Sequence, residues 1–286
     1  MHTKLFTLIL AGFCLAACGG GGGGGGGSQT PANVASGPTT TPTPDPVEPP
    51  PPAPTSTTIE VLALMTPGVE ALYIDADLRI QHLFNTTNDI AEASGVSADF
   101  VMRHLEVVDY PDTISATDAL DDLTFAAHPS LENVAALRTE HAADLVVLFR
   151  PYANDGHCGY AWVGGYQKNG DFSHPSEADY GYSVVAANCT DYTLLHELGH
   201  NLGLAHSRRE DPDGGTFNYA LGFGQDNDFV TIMASPTEFS ATQLPFLSSP
   251  ELSCNGVPCG VAHTEGNGTD AVRALNHTAP QVAQYR

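Results

Sequence analysis

The segment from His196 to His206, HELGHNLGLAH, constrains the fold of this chain more than any other. In an α-helix, His196 and His200 lie one turn apart and point the same way, so both imidazoles can reach one ion. Four leucines lie on the opposite arc of this helix: Leu194, Leu195, Leu198 and Leu202. The segment is therefore predicted to be an amphipathic helix, with one face in the core and the other available for chemistry.

Gly203 and His206 extend the pattern beyond the helix. Glycine permits the left-handed conformation that ends helices, so the chain can turn and bring His206 to the same ion. Three imidazoles suit one Zn²⁺ and leave a fourth position for water. Glu197 lies beside this position, where it can act as general acid and base in amide hydrolysis. The alternative, histidines that merely decorate a core helix, does not explain the added glycine and third histidine.

These residues resemble the long three-histidine signature of the metzincins, a clan of zinc endopeptidases in which a methionine-containing turn follows the signature. The segment 231–235, TIMAS, resembles that turn. The segments 159–165, 218–233 and 246–260 are most similar to bacterial reprolysin-like (adamalysin-like) peptidases. The resemblance implies three zinc ligands, one general acid and base, and one structural methionine: His196, His200 and His206, then Glu197, then Met233.

Two positions depart from the family pattern. Ser235 stands where astacin- and serralysin-like members have a tyrosine that can reach the metal, and Ser207 stands where reprolysins usually have an aspartate. Neither position is a ligand or the base. The departures therefore concern the subfamily and leave the expected chemistry unchanged.

Alternating apolar segments predict an α/β (α+β) fold. The predicted strands are 58–66, 99–108, 144–149, 159–165 and 182–187, and the predicted helices are 69–93, 115–127, 131–142 and 270–285. The resemblance implies a zincin-type, twisted and mostly parallel sheet, with 159–165 as an antiparallel edge strand that pairs with substrate. The alternative for this segment is a plain edge strand with Trp162 packed inward. Thr190 or Asp191 is the predicted N-cap of the active-site helix.

The chain is predicted to consist of three parts. Residues 1–17 have one lysine and a short apolar run, which indicates a signal peptide. They end in a sequence that resembles the lipobox of bacterial lipoproteins, which implies a lipidated Cys18; a plain secretory signal is the alternative. Residues 18–57 are rich in glycine, proline and threonine and are predicted to be a disordered tether. Residues 58–286 then form one zinc peptidase domain.

Four cysteines remain in this domain, and an exported chain with an even number of cysteines favours disulfides. Of the three possible pairings, Cys158 with Cys189 and Cys254 with Cys259 is the favoured one, and zinc binding through these thiols is the alternative. Calcium is a second possible ion, because a polar loop supplies several carboxylates, but their spacing is irregular and a solvated loop is favoured. These carboxylates are Asp211, Asp213, Asp226 and Asp228.

The formal net charge of −23 repels nucleic acid and anionic lipid, so neither is expected as a partner. The leading hypothesis is a monomeric, lipid-anchored zinc endopeptidase of the bacterial cell envelope, at the outer membrane or cell surface, with secretion as an alternative. It would cut extracytoplasmic proteins or peptides, and its only membrane contact would be the lipid on Cys18. Two other functions stay open: a surface binding or adhesion lipoprotein with a vestigial zinc site, and a zinc hydrolase of non-peptide amides.

Overall fold

A five-stranded sheet with the order β2-β1-β3-β5-β4 forms the centre of the fold in a computed structural model that describes residues 56–165 and 168–286. Its strands are β1 (Thr57–Met65), β2 (Ala98–Val107), β3 (Leu145–Arg150), β4 (Gly159–Ala161) and β5 (Tyr182–Ala186). Neighbouring strands are parallel except for the edge pair β4 and β5, which is antiparallel. This arrangement confirms the predicted fold class.

Helices cover both faces of the sheet because side chains along a strand alternate between its faces. Along β1, Ile59, Val61 and Ala63 pack into one core and Leu62 and Leu64 into the other. The first core is formed with α2 (Ala76–Ser94), α5 (Thr193–Asn201) and α7 (Ala271–Val282), and the second with α3 (Ala116–Phe125) and α4 (Val134–Glu140). Every residue of β3 and β5 is buried, as expected for central parallel strands.

The segment after α5 consists of short elements that wrap around the end of this helix. They are β6 (Ala205–Ser207), β7 (Leu221–Gly222), β8 (Gly224–Gln225), β9 (Phe229–Val230), α6 (Pro236–Phe239), β10 (Thr242–Gln243), β11 (Ser253–Cys254) and β12 (Val257–Pro258). β6 pairs with β7, and β9 lies between β8 and β10. These pairings hold the third histidine and the methionine-containing turn close to α5.

Several predicted helix and strand ends shift by one to three residues, as at both ends of α4, and three local predictions were wrong beyond that. The helix predicted over 69–93 is two helices, α1 (Pro67–Leu72) and α2, because Asp75 caps a new helix by accepting a hydrogen bond from the Leu78 amide at 2.9 Å. The edge strand predicted over 159–165 ends at Ala161. The N-cap of α5 is Tyr192, which makes no capping hydrogen bond through its side chain.

Asp191 does not cap α5, because its carboxylate pairs with the Arg79 guanidinium at 2.5 Å. Trp162 packs inward against the second core, and its indole N–H donates to the Thr124 hydroxyl at 2.9 Å. Both favoured disulfides form. Cys158–Cys189 joins the start of β4 to the loop before α5, and Cys254–Cys259 closes a short loop.

The predicted signal peptide, Cys18 and the predicted tether as far as residue 55 lie outside the described residues. Within the part of the chain that the structure describes, no helix is both long enough and apolar enough to cross a bilayer.

Candidate metal centre

Helix α5 presents two histidines on the side opposite its apolar face. The four leucines at this helix are fully buried in the first core, as their spacing predicts. The helix ends before Gly203, whose φ of +91° lies in the left-handed region. A Cβ atom at Gly203 would lie 2.6 Å from the Thr216 side chain, so this turn requires glycine for conformation and for space. Strand β6 then carries His206 back towards α5.

The three imidazoles of His196, His200 and His206 converge. One nitrogen from each ring lies within 4.8 Å of the others, and they are the group placed to hold a metal ion among the described residues. The Nε2 atoms of His196 and His200 are 3.1 Å apart. Tetrahedral zinc with Zn–N bonds of 2.0–2.1 Å separates its ligand nitrogens by about 3.3 Å, so the spacing fits this ion.

The remaining nitrogen of each ring determines which nitrogen is available to the metal. His196 Nδ1 lies 2.9 Å from the Ile232 carbonyl oxygen, and His200 Nδ1 lies 2.8 Å from the Leu204 carbonyl oxygen. A carbonyl oxygen only accepts, so each Nδ1 carries the hydrogen and each Nε2 keeps its lone pair. His206 Nδ1 lies 3.1 Å from Asp211 Oδ2, which also only accepts when ionised. The two helical rings are therefore held in the tautomer that offers Nε2, and the carboxylate beside His206 Nδ1 favours the same tautomer at the third ring.

The surroundings also favour the neutral form of the two helical histidines. Burial lowers the pKa of His196 to about 4, and the same cause holds the pKa of His200 well below its usual range. Neutral imidazole is the form that binds a metal. Near neutral pH the site consequently needs no deprotonation of these two ligands.

Glu197 lies between α5 and the edge strand. The residue is 4% exposed, and burial raises the pKa of its carboxyl to about 8. A Cβ atom at Gly159 in β4 would lie 2.4 Å from Glu197 Oε1, so the carboxyl occupies the space that a side chain at Gly159 would fill. A carboxyl with a raised pKa beside a metal centre is suited to proton transfer near neutral pH.

Met233 lies directly against α5. Its side chain is fully buried, and its sulfur is 2.9 Å from the position that a Cβ atom at Gly199 would take. Gly199 immediately precedes the ligand His200. The turn also positions a ligand, since the Ile232 carbonyl oxygen accepts from His196. Met233 thus has the location that its predicted structural role requires.

Three of the four aspartates in the acidic loop after His206 contact other side chains of the protein. Asp226 pairs with Arg209, with a shortest distance of 2.6 Å, and Asp228 accepts from the Asn255 amide at 2.7 Å. Asp211 contacts His206, which sequence reasoning missed. The four aspartates of this loop are equivalent in the sequence pattern, so only the fold distinguishes the one beside a ligand.

A second missed residue is Glu210. Its carboxylate accepts from the Ser207 hydroxyl at 2.7 Å and from the Ser235 amide at 3.4 Å. It therefore links the two positions that depart from the family pattern, one after the third histidine and one after the turn methionine.

The comparison with known families decides the membership of this chain. A family model described as metallo-peptidase family M12, of the reprolysin type, matches residues 55–244, which include the whole three-histidine segment and Met233. The chain belongs to this family. Membership in a metallopeptidase family implies a zinc cofactor, and the three histidines are placed to hold it.

Curated relatives of this M12 chain are peptidyl-Asp metalloendopeptidases. The one from Pseudomonas aeruginosa is 32% identical over 249 residues, covering 80% of this chain and 40% of the relative. That from Xanthomonas campestris is 27% identical and covers 68% of this chain and 43% of the relative. The corresponding figures for Stenotrophomonas maltophilia strain R551-3 are 26%, 80% and 53%. The chain therefore spans about half or less of the length of these relatives.

A solved structure with a similar fold is described as "Structure of a chaperone-substrate complex". It aligns with a TM-score of 0.61 and 26% sequence identity, and it covers 81% of this chain and 35% of that chain. The similarity includes most of the described domain and supports the assigned fold.

Proposed function

We propose that this chain is a zinc-dependent endopeptidase. The observation that carries this proposal is the arrangement of three imidazoles that each bring one nitrogen to a common point while each Nδ1 lies beside a carbonyl or carboxylate oxygen, with the buried Glu197 carboxyl beside them. A zinc ion held by three histidines acidifies water and polarises a carbonyl oxygen. These are the two activations that amide hydrolysis needs.

The residues of the chain supply proton transfer and orientation. Glu197 takes the proton of the attacking water and delivers it to the leaving amine nitrogen. Strand β4 lies beside Glu197 at the edge of the sheet and pairs with β5 on one side. An extended peptide can pair with the other side through its backbone, largely independently of its sequence. Such pairing would place a peptide bond beside Glu197 and the histidines.

The first experiment separates zinc binding from catalysis. We expect Glu197→Gln to retain about one zinc per chain and to lower turnover on a protein substrate by about 10²–10⁴-fold, because the amide cannot take a proton. Glu265→Gln removes the same charge at an exposed position and should leave turnover unchanged. Full activity of the Glu197→Gln variant would contradict the mechanism, whereas zinc binding without cleavage of any peptide by the wild type would favour a vestigial site.

The substrate class that we propose is peptides cut next to an aspartate, because the curated relatives are named for this specificity. Peptides that differ only by Asp, Asn or Glu at one position would test it. We expect kcat/KM for the Asp peptide to exceed that for the Asn peptide by more than about tenfold. Equal cleavage of the three peptides would refute the aspartate preference but not the endopeptidase activity.

The proposed location is the bacterial cell envelope, with the chain anchored by a lipid on Cys18. The support is the apolar run and the lipobox-like Leu15–Cys18 that precede the glycine-rich segment. We expect a clickable fatty acid to label the wild type and Cys14→Ser, but not Cys18→Ser, in the expressing cell. An unlabelled wild type would indicate a plain secretory signal.

The domain over residues 58–286 is proposed to be a monomer, which size-exclusion chromatography with light scattering would test.

A further inference from the structure

Asp211 makes two contacts with the third histidine through a single oxygen. Its Oδ2 atom lies 3.1 Å from His206 Nδ1 and accepts a hydrogen bond from the His206 backbone amide at 2.8 Å. The carboxylate therefore faces both the ring and the backbone of this residue. The backbone hydrogen bond places the carboxylate against β6, on the Nδ1 side of the imidazole.

The loop geometry holds Asp211 in this place. The Asp211 amide donates to the Ser207 carbonyl oxygen at 2.8 Å, and the Gly214 amide donates to the Asp211 carbonyl oxygen at 3.1 Å. Successive backbone turns thus position the carboxylate five residues after the ligand. The backbone conformation of the loop therefore places the Asp211 carboxylate beside His206.

His206 differs from the other two histidines in what supports it. His196 and His200 lie on one helix and have backbone carbonyls as hydrogen-bond partners at Nδ1; His200 is buried and His196 is partly buried. The His206 side chain is 40% exposed and follows a turn. Without a partner at Nδ1, water would compete for this nitrogen and the ring could adopt either tautomer.

A carboxylate at Nδ1 keeps the hydrogen on this nitrogen and the lone pair on Nε2. It also increases the basicity of the ligand nitrogen, and loss of such a partner typically weakens metal binding by about 10–100-fold. We propose that Asp211 is a positioning residue of the metal centre, which holds His206 in the metal-binding tautomer and so strengthens zinc binding. This inference rests on the zinc site of the proposed function but not on the cleavage of any peptide.

The test compares Asp211→Asn with a matched control, Asp213→Asn, and both substitutions are made in the whole chain. Asp213 lies in the same loop and is exposed, so its substitution removes the same charge nearby. We expect competition with a chromophoric chelator to give a zinc Kd about 10–100-fold higher for Asp211→Asn and within about twofold of wild type for Asp213→Asn. Asp211→Glu restores the charge and should recover part of the affinity.

A spectroscopic measurement distinguishes positioning from general stabilisation. In the cobalt(II)-substituted protein, Asp211→Asn should shift the d–d absorption bands, which report the ligand field, while Asp213→Asn should leave them unchanged. The same zinc Kd and the same cobalt spectrum for both asparagine variants would overturn the proposal.

A measurement on the wild type removes the dependence on variant folding. Nitrogen-15 NMR of the zinc-loaded protein should show His206 with its proton on Nδ1 and its metal bond at Nε2. A metal bond at Nδ1 would overturn the proposal. Zinc binding that depends on Asp211 in a chain without peptidase activity would refute the proposed function and leave this inference intact.

Discussion

At the scale of single residues, the missing side chain at Gly159 leaves the space that the Glu197 carboxyl occupies. We predict that Gly159→Ala displaces the carboxyl, because its Cβ would lie 2.4 Å from Glu197 Oε1. A misplacement of about 1 Å costs on the order of 10²-fold in rate. The expected result is a fall of this order in kcat, with zinc content unchanged, measured by steady-state kinetics and elemental analysis.

Gly266→Ala is the control for this substitution. A Cβ atom at Gly266 would meet no atom within 4 Å, and its φ lies outside the left-handed region. It should leave kcat and zinc content as in the wild type. Wild-type kcat in Gly159→Ala would show that the Glu197 carboxyl has another productive position.

Met233 provides a second prediction at the residue scale, which concerns stability. We expect Met233→Ala to lower the free energy of unfolding by about 2–5 kcal/mol, because it leaves a cavity against α5. Met233→Leu keeps most of the volume and should cost less than about 1.5 kcal/mol. Denaturant unfolding of the zinc-loaded chain measures both. Similar losses for the two variants would indicate that the sulfur itself, and not the packed volume, stabilises the turn.

Residues with a regular spacing were predictable, and residues placed by loops were not. The period of the α-helix is sufficient to fix the relative direction of His196 and His200. Gly203 indicates that the chain turns there, and the structure gives it the expected left-handed φ. The contact of Asp211 with His206 depends on the path of an irregular loop, for which the sequence contains no period.

At the scale of secondary structure, apolar segments predicted the strands of the central sheet to within one or two residues, except β4. Buried parallel strands are continuous apolar runs, so burial on both faces is visible in the sequence. The prediction of one helix over 69–93 treated Leu72 as part of the buried face, but Leu72 is exposed and a new helix begins after the cap at Asp75. The edge strand β4 was predicted too long because glycines and mixed residues give no signal for its end.

The disulfide Cys158–Cys189 connects two elements of the site, β4 and the loop before α5. Its cysteines are separated by 31 residues, and those of Cys254–Cys259 by five. The loop-entropy relation assigns the two bonds roughly 4 and about 2 kcal/mol. We therefore predict that replacing the first pair by serine lowers the free energy of unfolding about twice as much as replacing the second. Equal losses in denaturant unfolding would contradict this order.

At the scale of the whole molecule, the site combines segments that are distant in the sequence. Gly159 comes from the edge of the sheet, Glu197 from the helix beneath it, and Ile232 from a turn 36 residues after the ligand that it contacts. Local patterns predicted a mostly parallel sheet but not its strand order, since that order depends on where the crossing connections run. The metal centre therefore depends on the folded domain as a unit.

The metal centre requires the folded domain, and the folded domain in turn gains stability from zinc. An ion that binds only the folded state stabilises that state. At free zinc 1,000 times the Kd, this linkage contributes about 4.1 kcal/mol. For a domain of this size, that contribution raises the Tm by roughly 8–16 °C. We expect a chelator to lower the Tm of the wild type and of Glu197→Gln by this amount, and to leave the Tm of a His196→Ala, His200→Ala double variant almost unchanged. Calorimetry with and without the chelator measures it, and equal Tm values for the zinc-loaded and metal-free wild type would contradict coupling between zinc and the fold.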